Sequence, residues 1–356
     1  MNDEEPPQGW SGVPVCPVPL TGHDTVQLAH GSGGRMSAEL VARFFQPRFS
    51  NPFLDRLEDQ AVLNLPSGRV AFSTDTFVVD PLFFPGGSIG DLAVNGTVND
   101  VCMAGATPLY LSAGFVLEEG LPLATLQRIL VDMEKAARSA GVQVVTGDTK
   151  VVPRGGCDKI FINTTGLGLI PDGIALSAAS LEAGDKIILS GSLADHGMAV
   201  MTCRQGLSFQ ASIASDTAPL HGLVNAMLAT GGKIRAMRDP TRGGLAATLN
   251  EFARSSGKGL VVERGLVPVR PEVAAACEIL GIDPLVVANE GKLVAVVESC
   301  AADAMVAAMR SQPQGRDAAV IGEVGDAHPG LVALRNALGV MQILEMPLGE
   351  QLPRIC

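Results

Sequence analysis

Five aspartates interrupt apolar segments of this 356-residue chain. Asp59 leads into an apolar run, and Asp75 sits inside Phe72-Ser-Thr-Asp-Thr-Phe77. Asp100 follows Asn95 and Asn99 on a segment that otherwise reads as a buried helix. Asp148 lies in Thr146-Gly-Asp-Thr-Lys150, and Asp239 opens Asp-Pro-Thr-Arg242-Gly-Gly244. A buried carboxylate needs a partner, and several that converge repel one another unless a cation joins them. Mg²⁺ takes oxygen ligands, usually a few carboxylates with phosphate oxygens and water. Singly, each aspartate serves as well as a cap, a turn residue or a salt-bridge partner. Five together point to a metal–phosphate site.

Other residues fit around such a site. Arg242, Gly243 and Gly244 precede a helical pattern, where free amides and a guanidinium suit an anion, although Asp239 followed by Pro240 is also an ordinary helix start. Lys150 and Glu290 border apolar stretches and suit proton transfer or charge stabilisation; either also reads as a solvated edge charge. Gly31, Ser32, Gly33 and Gly34 form neither a P-loop nor a complete dinucleotide fingerprint, so alone they indicate a turn. His30 and His196 each precede glycine, make no metal motif and are not taken as catalytic. Cys16 sits among prolines with nothing to activate it. Cys356 is the last residue, behind Pro353-Arg-Ile, with Arg354 placed to favour the thiolate. From Leu348 the tail reaches roughly 25–30 Å if extended, far enough for a tethered thiol to visit two sites.

These residues need elements to hold them. Strands are expected at Val26–His30, Ala61–Leu65, Val70–Val79, Leu109–Leu117, Val142–Val152 and Lys159–Ile170, with helices at Met36–Phe45, Asp91–Ala104 and Leu123–Ala140. Pro171-Asp-Gly173 marks a break. Beyond it come strands at Lys186–Ser190, Val261–Glu263, Leu293–Glu298 and Ala318–Ile321. An Ala/Met-rich helix runs to about Gly206, and further helices are expected at Leu220–Ala229, Gly243–Ser255 and Pro271–Leu280. The expected organisation is a flexible leader (1–24), an N-terminal domain (25–171), a C-terminal domain (172–345) and a mobile tail (346–356) carrying Cys356. The fold class is α+β, two α/β domains with mixed or antiparallel sheets.

Composition sets outer limits. The chain is 47% hydrophobic and 18% charged, enough for two cores, and its single Trp and Tyr leave the packing to aliphatics and Phe. A net charge of -11 without a basic block argues against nucleic acid. No apolar run approaches the ~20 residues of a membrane span. Seven scattered cysteines, with no C-x-x-C pair, fit reduced thiols in the cytoplasm.

From about Leu28 the chain resembles the HypE hydrogenase maturation factors, within the superfamily of aminoimidazole ribonucleotide synthetase and selenophosphate synthetase. The resemblance rests on His30-Gly-Ser-Gly-Gly34, Ser73-Thr-Asp75, Val94-Asn-Gly-Thr-Val-Asn-Asp-Val-Cys-Met-Ala-Gly105 and Thr146-Gly-Asp-Thr-Lys150. It rests equally on Gly191-Ser-Leu-Ala-Asp-His-Gly197, Arg238-Asp-Pro-Thr-Arg-Gly-Gly244 and the terminal Pro353-Arg-Ile-Cys356. It implies a homodimer through the N-terminal sheet, with ATP near the interface. Asp59, Asp75, Asp100 and Asp239 become candidate Mg²⁺ ligands. Gly31–Gly34, Asn95, Asn99 and Gly147–Thr149 would line the ATP site, and Lys150 and Glu290 would flank a carbamoyl group on Cys356. The implied reaction dehydrates that group to a thiocyanate with ATP, giving ADP and phosphate. The implied partners are the carbamoyltransferase HypF and the HypC–HypD complex. Two other readings stay open: a synthetase of the superfamily acting on a free small molecule, and a non-catalytic scaffold whose tail docks a partner.

Overall fold

Residues 69–77 alternate outward and inward, and the long strands that join them do the same, so one sheet is covered on a single face. The computed structural model describes residues 23–58, 60–207, 212–349, 352 and 354–356. Asp59, Cys16 and nearly all of the expected leader lie outside the described residues.

The first half holds α1 (Arg35–Leu40), α2 (Gln46–Phe49), β1 (Arg69–Phe77), a small hairpin of β2 (Phe83–Phe84) and β3 (Gly87–Ser88), and α3 (Ile89–Met103). It continues with β4 (Thr107–Glu118), α4 (Leu123–Ala140), β5 (Gln143–Val152) and β6 (Ile160–Ile170). The four long strands form one sheet in the order β1-β6-β4-β5. β6 is antiparallel to both its neighbours, while β4 and β5 run parallel through the α4 crossover. Helix α3 packs on β1, β6 and α4. The Ser88 hydroxyl caps it, accepting the amides of Gly90 and Asp91. Twelve of its fifteen residues are buried, so it is a central helix rather than a surface one. Gly96 lets it approach β1, since a Cβ there would stand 2.9 Å from the Phe77 ring.

The second half is built on a seven-stranded sheet in the order β13-β12-β9-β11-β7-β10-β8. Its strands are β7 (Lys186–Leu189), β8 (Ile234–Arg238), β9 (Gly259–Glu263), β10 (Val294–Val297), β11 (Ala319–Gly325), β12 (Val332–Arg335) and β13 (Met341–Ile343). All neighbours are antiparallel except β9 and β12. The helices are α5 (Asp195–Gln205), α6 (His221–Ala229), α7 (Gly244–Ser256), α8 (Pro271–Leu280) and α9 (Ala302–Arg310). The two mixed sheets bear out the α+β expectation.

Two expected strands are absent. Val26 is a lone fully buried anchor, after which Leu28–Gly31 coils into a 3-10 turn closed by the Gln27 amide on His30 Nδ1. Ala61–Leu65 forms no ladder, and Val62 and Leu65 stay exposed. The first run gets only a one-residue bridge, Thr25 to Pro122, with Val26 exchanging backbone hydrogen bonds with Leu121 and Gly120, before it coils away, and the second forms no ladder.

Candidate functional site

The helix-covered side of β1 faces the second half of the chain, and an acidic cleft lies between them. Asp75 comes from β1, Asp100 from the last turn of α3, and Asp239 from the loop after β8. Ser73, Asp100, Arg238 and Asp239 line a cleft of about 560 Å³ there, floored by Ala236 and Phe252. Ser73 Oγ donates to Asp100 Oδ2 at 2.7 Å. Arg242 brings its guanidinium to 3.8 Å from Asp75.

Charge crowding shows in the acidities. Burial raises the Asp75 carboxyl, with the Thr76 amide and Arg242 acting against it. Burial raises Asp100 as well, and Asp75 adds to the rise. Asp239 is pushed to about 7, first by burial and then by Asp100. Glu290, 4% exposed, lies well above the usual carboxylate range. Burial is the main cause, and Asp239, Asp216, Asp75 and Asp100 add to it. Glu290 Oε1 and Asn95 Oδ1 are buried without a hydrogen-bond partner among the described residues.

Among those residues, no three His, Cys, Asp or Glu side chains stand close enough to enclose a metal by themselves. A Mg²⁺ ion held here would need phosphate oxygens and water to complete its shell. The repelling carboxylates and the two orphaned buried oxygens are the features such a cation–phosphate group would satisfy.

Asn95 and Asn99 stand one turn apart on α3 and reach across to the second half. Asn95 Nδ2 donates to Thr217 Oγ1 at 3.2 Å. Asn99 Nδ2 donates to the carbonyls of Ala218 and Glu290, and its Oδ1 accepts the Leu220 amide. Asn99 therefore ties the halves together with its amide fully used. The loop carrying Glu290 is also held by Asp216, which accepts the Glu290 amide at 3.1 Å and pairs with Lys292 at 3.1 Å.

The Asp239–Gly244 loop turns through Gly243 (φ +78°) and Gly244 (φ +59°) into α7. A Cβ on Gly244 would stand 2.6 Å from the Val287 carbonyl, so glycine is required. On the other side of this turn, Arg242 and Gly243 line a second cleft of about 490 Å³, closed by the tail residues Met346, Pro347, Leu352 and Ile355.

The tail leads straight back to β1. Cys356 is 8% exposed, and Leu352 and Ile355 are buried beside it. The pattern reading expects an exposed end here; in this structure the apolar Leu352 and Ile355 carry it into the fold. The Val78 amide donates to the Cys356 terminal oxygen at 3.0 Å, three residues past Asp75.

The glycine loop and the Asp148 motif lie elsewhere. Gly31, Gly33, Gly147, Asp148, Thr149 and Lys150 line a third cavity, of about 390 Å³, whose walls are largely apolar. Gly31 packs on β5, where a Cβ would stand 2.3 Å from the Val151 amide nitrogen. Lys150 pairs with Asp148 at 3.0 Å, and both are exposed. By register Asp75 lies opposite Thr164, which pairs with Ala113 and through it Gly147, all on the covered face. Asp148 and Lys150 alternate with Gly147 and Thr149, which places Asp148 and Lys150 on the open face, three strand spacings or about 14 Å along the sheet from Asp75. One protomer therefore brings Asp75, Asp100, Asp239 and Glu290 towards one another, seats Cys356 on the extension of β1, and leaves Lys150 apart.

Sequence reasoning missed the residues that seat the tail: Val78, Asp80, His196 and Arg204. Of these only His196 carried a signal, its place in Gly191–Gly197.

Residues 57–170 match the N-terminal domain and residues 182–333 the C-terminal domain of the AIR synthase related proteins, and the chain belongs to that family. A carbamoyl dehydratase HypE from Azotobacter vinelandii is 54% identical over 332 residues, covering 93% of this chain and 97% of the relative. A crystal structure of hydrogenase maturation protein HypE in complex with ATP matches with a TM-score of 0.90 and 51% identity, over 93% of this chain and 99% of that one. A HypE–HypF complex matches with a TM-score of 0.77 and 45% identity, over 88% of this chain and 100% of that one. Within the AIR synthase related proteins, this chain is a member of the HypE carbamoyl dehydratase family.

Proposed function

We propose that this chain uses ATP to dehydrate a carbamoyl group carried on Cys356, producing a thiocyanate for hydrogenase maturation. The observation that carries this reading is the docked tail: Cys356 is fixed to Val78, next to the strand that bears Asp75. The HypE relative solved with ATP supports the nucleotide, and the HypE–HypF complex supports HypF as a partner, whose proposed part is to donate the carbamoyl group. The HypC–HypD complex is the proposed acceptor. A thiol that is buried when docked must leave its seat to meet either partner.

The oxygen of S–CO–NH₂ is a poor leaving group. Transfer of the ATP γ-phosphoryl group to that oxygen makes phosphate the leaving group. Loss of both nitrogen protons and of phosphate then gives S–C≡N, ADP and phosphate. Glu290, once ionised, is a strong base because its proton affinity is high, and it takes a nitrogen proton. Asp75, Asp100 and Asp239 would hold Mg²⁺ together with the phosphate oxygens, Asp59 being a further candidate. Mg²⁺ supplies charge neutralisation on the transferring phosphoryl group.

Lys150 enters from a second copy. The open face of the four-stranded sheet exposes Val70 and Phe72, the latter 71% accessible, on the edge strand β1. An apolar face of this kind is what a homodimer covers. Across that interface one subunit's Gly31–Gly34 loop and Gly147–Lys150 strand complete the other's acidic cleft. The domains run over 25–171 and 172–345. The proposed place of work is the cytoplasm, in keeping with six free cysteines among the described residues.

Mass analysis after incubation with HypF, carbamoyl phosphate and ATP tests the reading. Carbamoylation and then loss of one water are expected on the C-terminal peptide. Cys356→Ala is expected to bind ATP and show neither change. Modification of a free small molecule by active Cys356→Ala supports the synthetase reading; absence of ATP turnover in the parent supports the scaffold.

A further inference from the structure

We propose that His196 is a positioning residue that holds the peptide bond before Cys356, so that a group on the sulfur stays in the acidic cleft. This rests on the reading of Cys356 as carrier.

Three successive acceptors at the end of the chain each have a donor. Arg204 Nη2 donates to the Arg354 carbonyl at 2.7 Å, His196 Nε2 meets the Ile355 carbonyl at 2.7 Å, and the Val78 amide takes the Cys356 terminal oxygen at 3.0 Å. The His196 bond is one link from the reacting residue, and it comes from a side chain with no exposure at all.

A carbonyl only accepts, so Nε2 carries the proton. Nδ1 then accepts the Ser215 hydroxyl at 2.8 Å. Ser215 Oγ in turn accepts the Thr217 amide at 3.1 Å, which leaves its proton for the ring. The ring is set edge-on against Phe84, with 5.4 Å between centroids. Burial lowers the imidazole's proton affinity and keeps it in the neutral form this chain of bonds requires.

The seat itself is strained into place. Ala194, just before α5, has φ +72°, a region costly for a residue with a Cβ, and its amide donates to Asn289 Oδ1 at 2.8 Å. Asn289 also donates to the Pro240 carbonyl, one residue after Asp239. The loop that aims His196 is thus tied to the loop that carries Asp239 and to Glu290's neighbour. Any buried imidazole needs partners for its nitrogens; what singles this one out is that its Nε2 partner is the carbonyl joined to Cys356 and that its helix start is tied to the acidic loops.

The test uses His196→Phe, which keeps the ring against Phe84 and removes both nitrogens, and His196→Gln, which restores an N–H near Nε2. Three quantities are read: alkylation of Cys356, its loading by HypF with carbamoyl phosphate and ATP, and the first-order rate at which the loaded tail loses water. In His196→Phe, alkylation is expected to accelerate and dehydration to slow by about 5–30-fold, the effect of losing a buried hydrogen bond. Loading is expected to be unchanged, and His196→Gln should recover most of both rates. ATP-induced thermal stabilisation reports an intact fold. Dehydration at the parent rate in folded His196→Phe overturns the proposal. If that variant does not fold, Ser215→Ala, which leaves the ring in place, should shift both rates the same way, and parent rates there overturn it equally. If Cys356 in the parent never loads, the carrier reading has failed instead.

Discussion

The acidic cleft and the seat of the tail are both buried and polar, and they lie a few residues apart along β1 and its extension. Yet they are satisfied to opposite degrees. In the seat, the acceptors of residues 354–356 meet donors from Arg204, His196 and Val78. In the cleft, burial raises the proton affinity of Asp75, Asp100, Asp239 and Glu290, neighbouring carboxylates add to the rise at the last three, and Glu290 Oε1 and Asn95 Oδ1 have no partner among the described residues. A polar group left unpaired in the interior costs about 1–3 kcal/mol. The chain closes such groups where they hold itself and leaves them open where the proposed cation and phosphates arrive. The difference separates a seat for the protein's own tail from a site for a ligand.

The sharpest way to break this comparison is through Glu290. Glu290→Gln keeps the volume and removes the charge, so Cys356 should still load while dehydration falls by about 10²–10⁴-fold. Lys150→Ala should show the same split between loading and dehydration. Because Lys150 lies on the open face, mixed dimers of the two variants should regain activity in those holding one intact site. Mixed dimers as inactive as their parents would place Lys150 and Glu290 in one subunit's site.

A smaller effect is expected at Asp75. Asp75→Asn should raise the Mg²⁺ concentration for half-maximal ATP turnover by at least about tenfold while circular dichroism stays parental. Two unit charges 4 Å apart at an effective dielectric of 20 interact by about 4 kcal/mol, and tenfold is about 1.4. An unchanged Mg²⁺ dependence in a folded variant removes Asp75 from the ligand set.

The smallest effect is on stability. The Asp239 carboxyl ordinarily ionises near 3.8 and is held to about 7 in the fold. The folded state therefore binds its proton more tightly than the unfolded chain. The stabilisation conferred by that proton is full below 3.8 and is lost as pH rises towards and through 7. Asp239→Asn should raise the melting temperature by a few degrees at pH 8 and by less at pH 5, at about 2–4 °C per kcal/mol for chains of this size class. Mg²⁺ with ATP should narrow the gap at pH 8 by stabilising the parent more. Equal shifts at both pH values would show that Asp239 is not held protonated.

Most of the acidic cleft was legible, because a carboxylate inside an apolar run is conspicuous in one dimension. Asp75 in a strand and Asp100 on a buried helix each break a pattern that burial enforces. The strands at 69–77, 143–152 and 160–170 were legible for a related reason, since alternation with period two survives wherever one face is covered. Val26–His30 and Ala61–Leu65 misled because a strand depends on a neighbour, which local pattern does not contain. His196 was legible only as a member of the Gly191–Gly197 run, because its two bonds go to segments 19 and 159 positions away.

By itself, then, the sequence determined which residues carry charge into the interior, the periodicities of the helices and most of the strands, and the thiol at the chain's end. Those properties are local, set by side-chain chemistry and its spacing along the backbone. The tertiary structure decided which of the charges meet, that Lys150 lies on the face away from Asp75, and that Cys356 is seated on Val78, just past the strand that bears Asp75. Those outcomes depend on strand order and on the packing of one half against the other, where contacts form between residues that no window of sequence holds together.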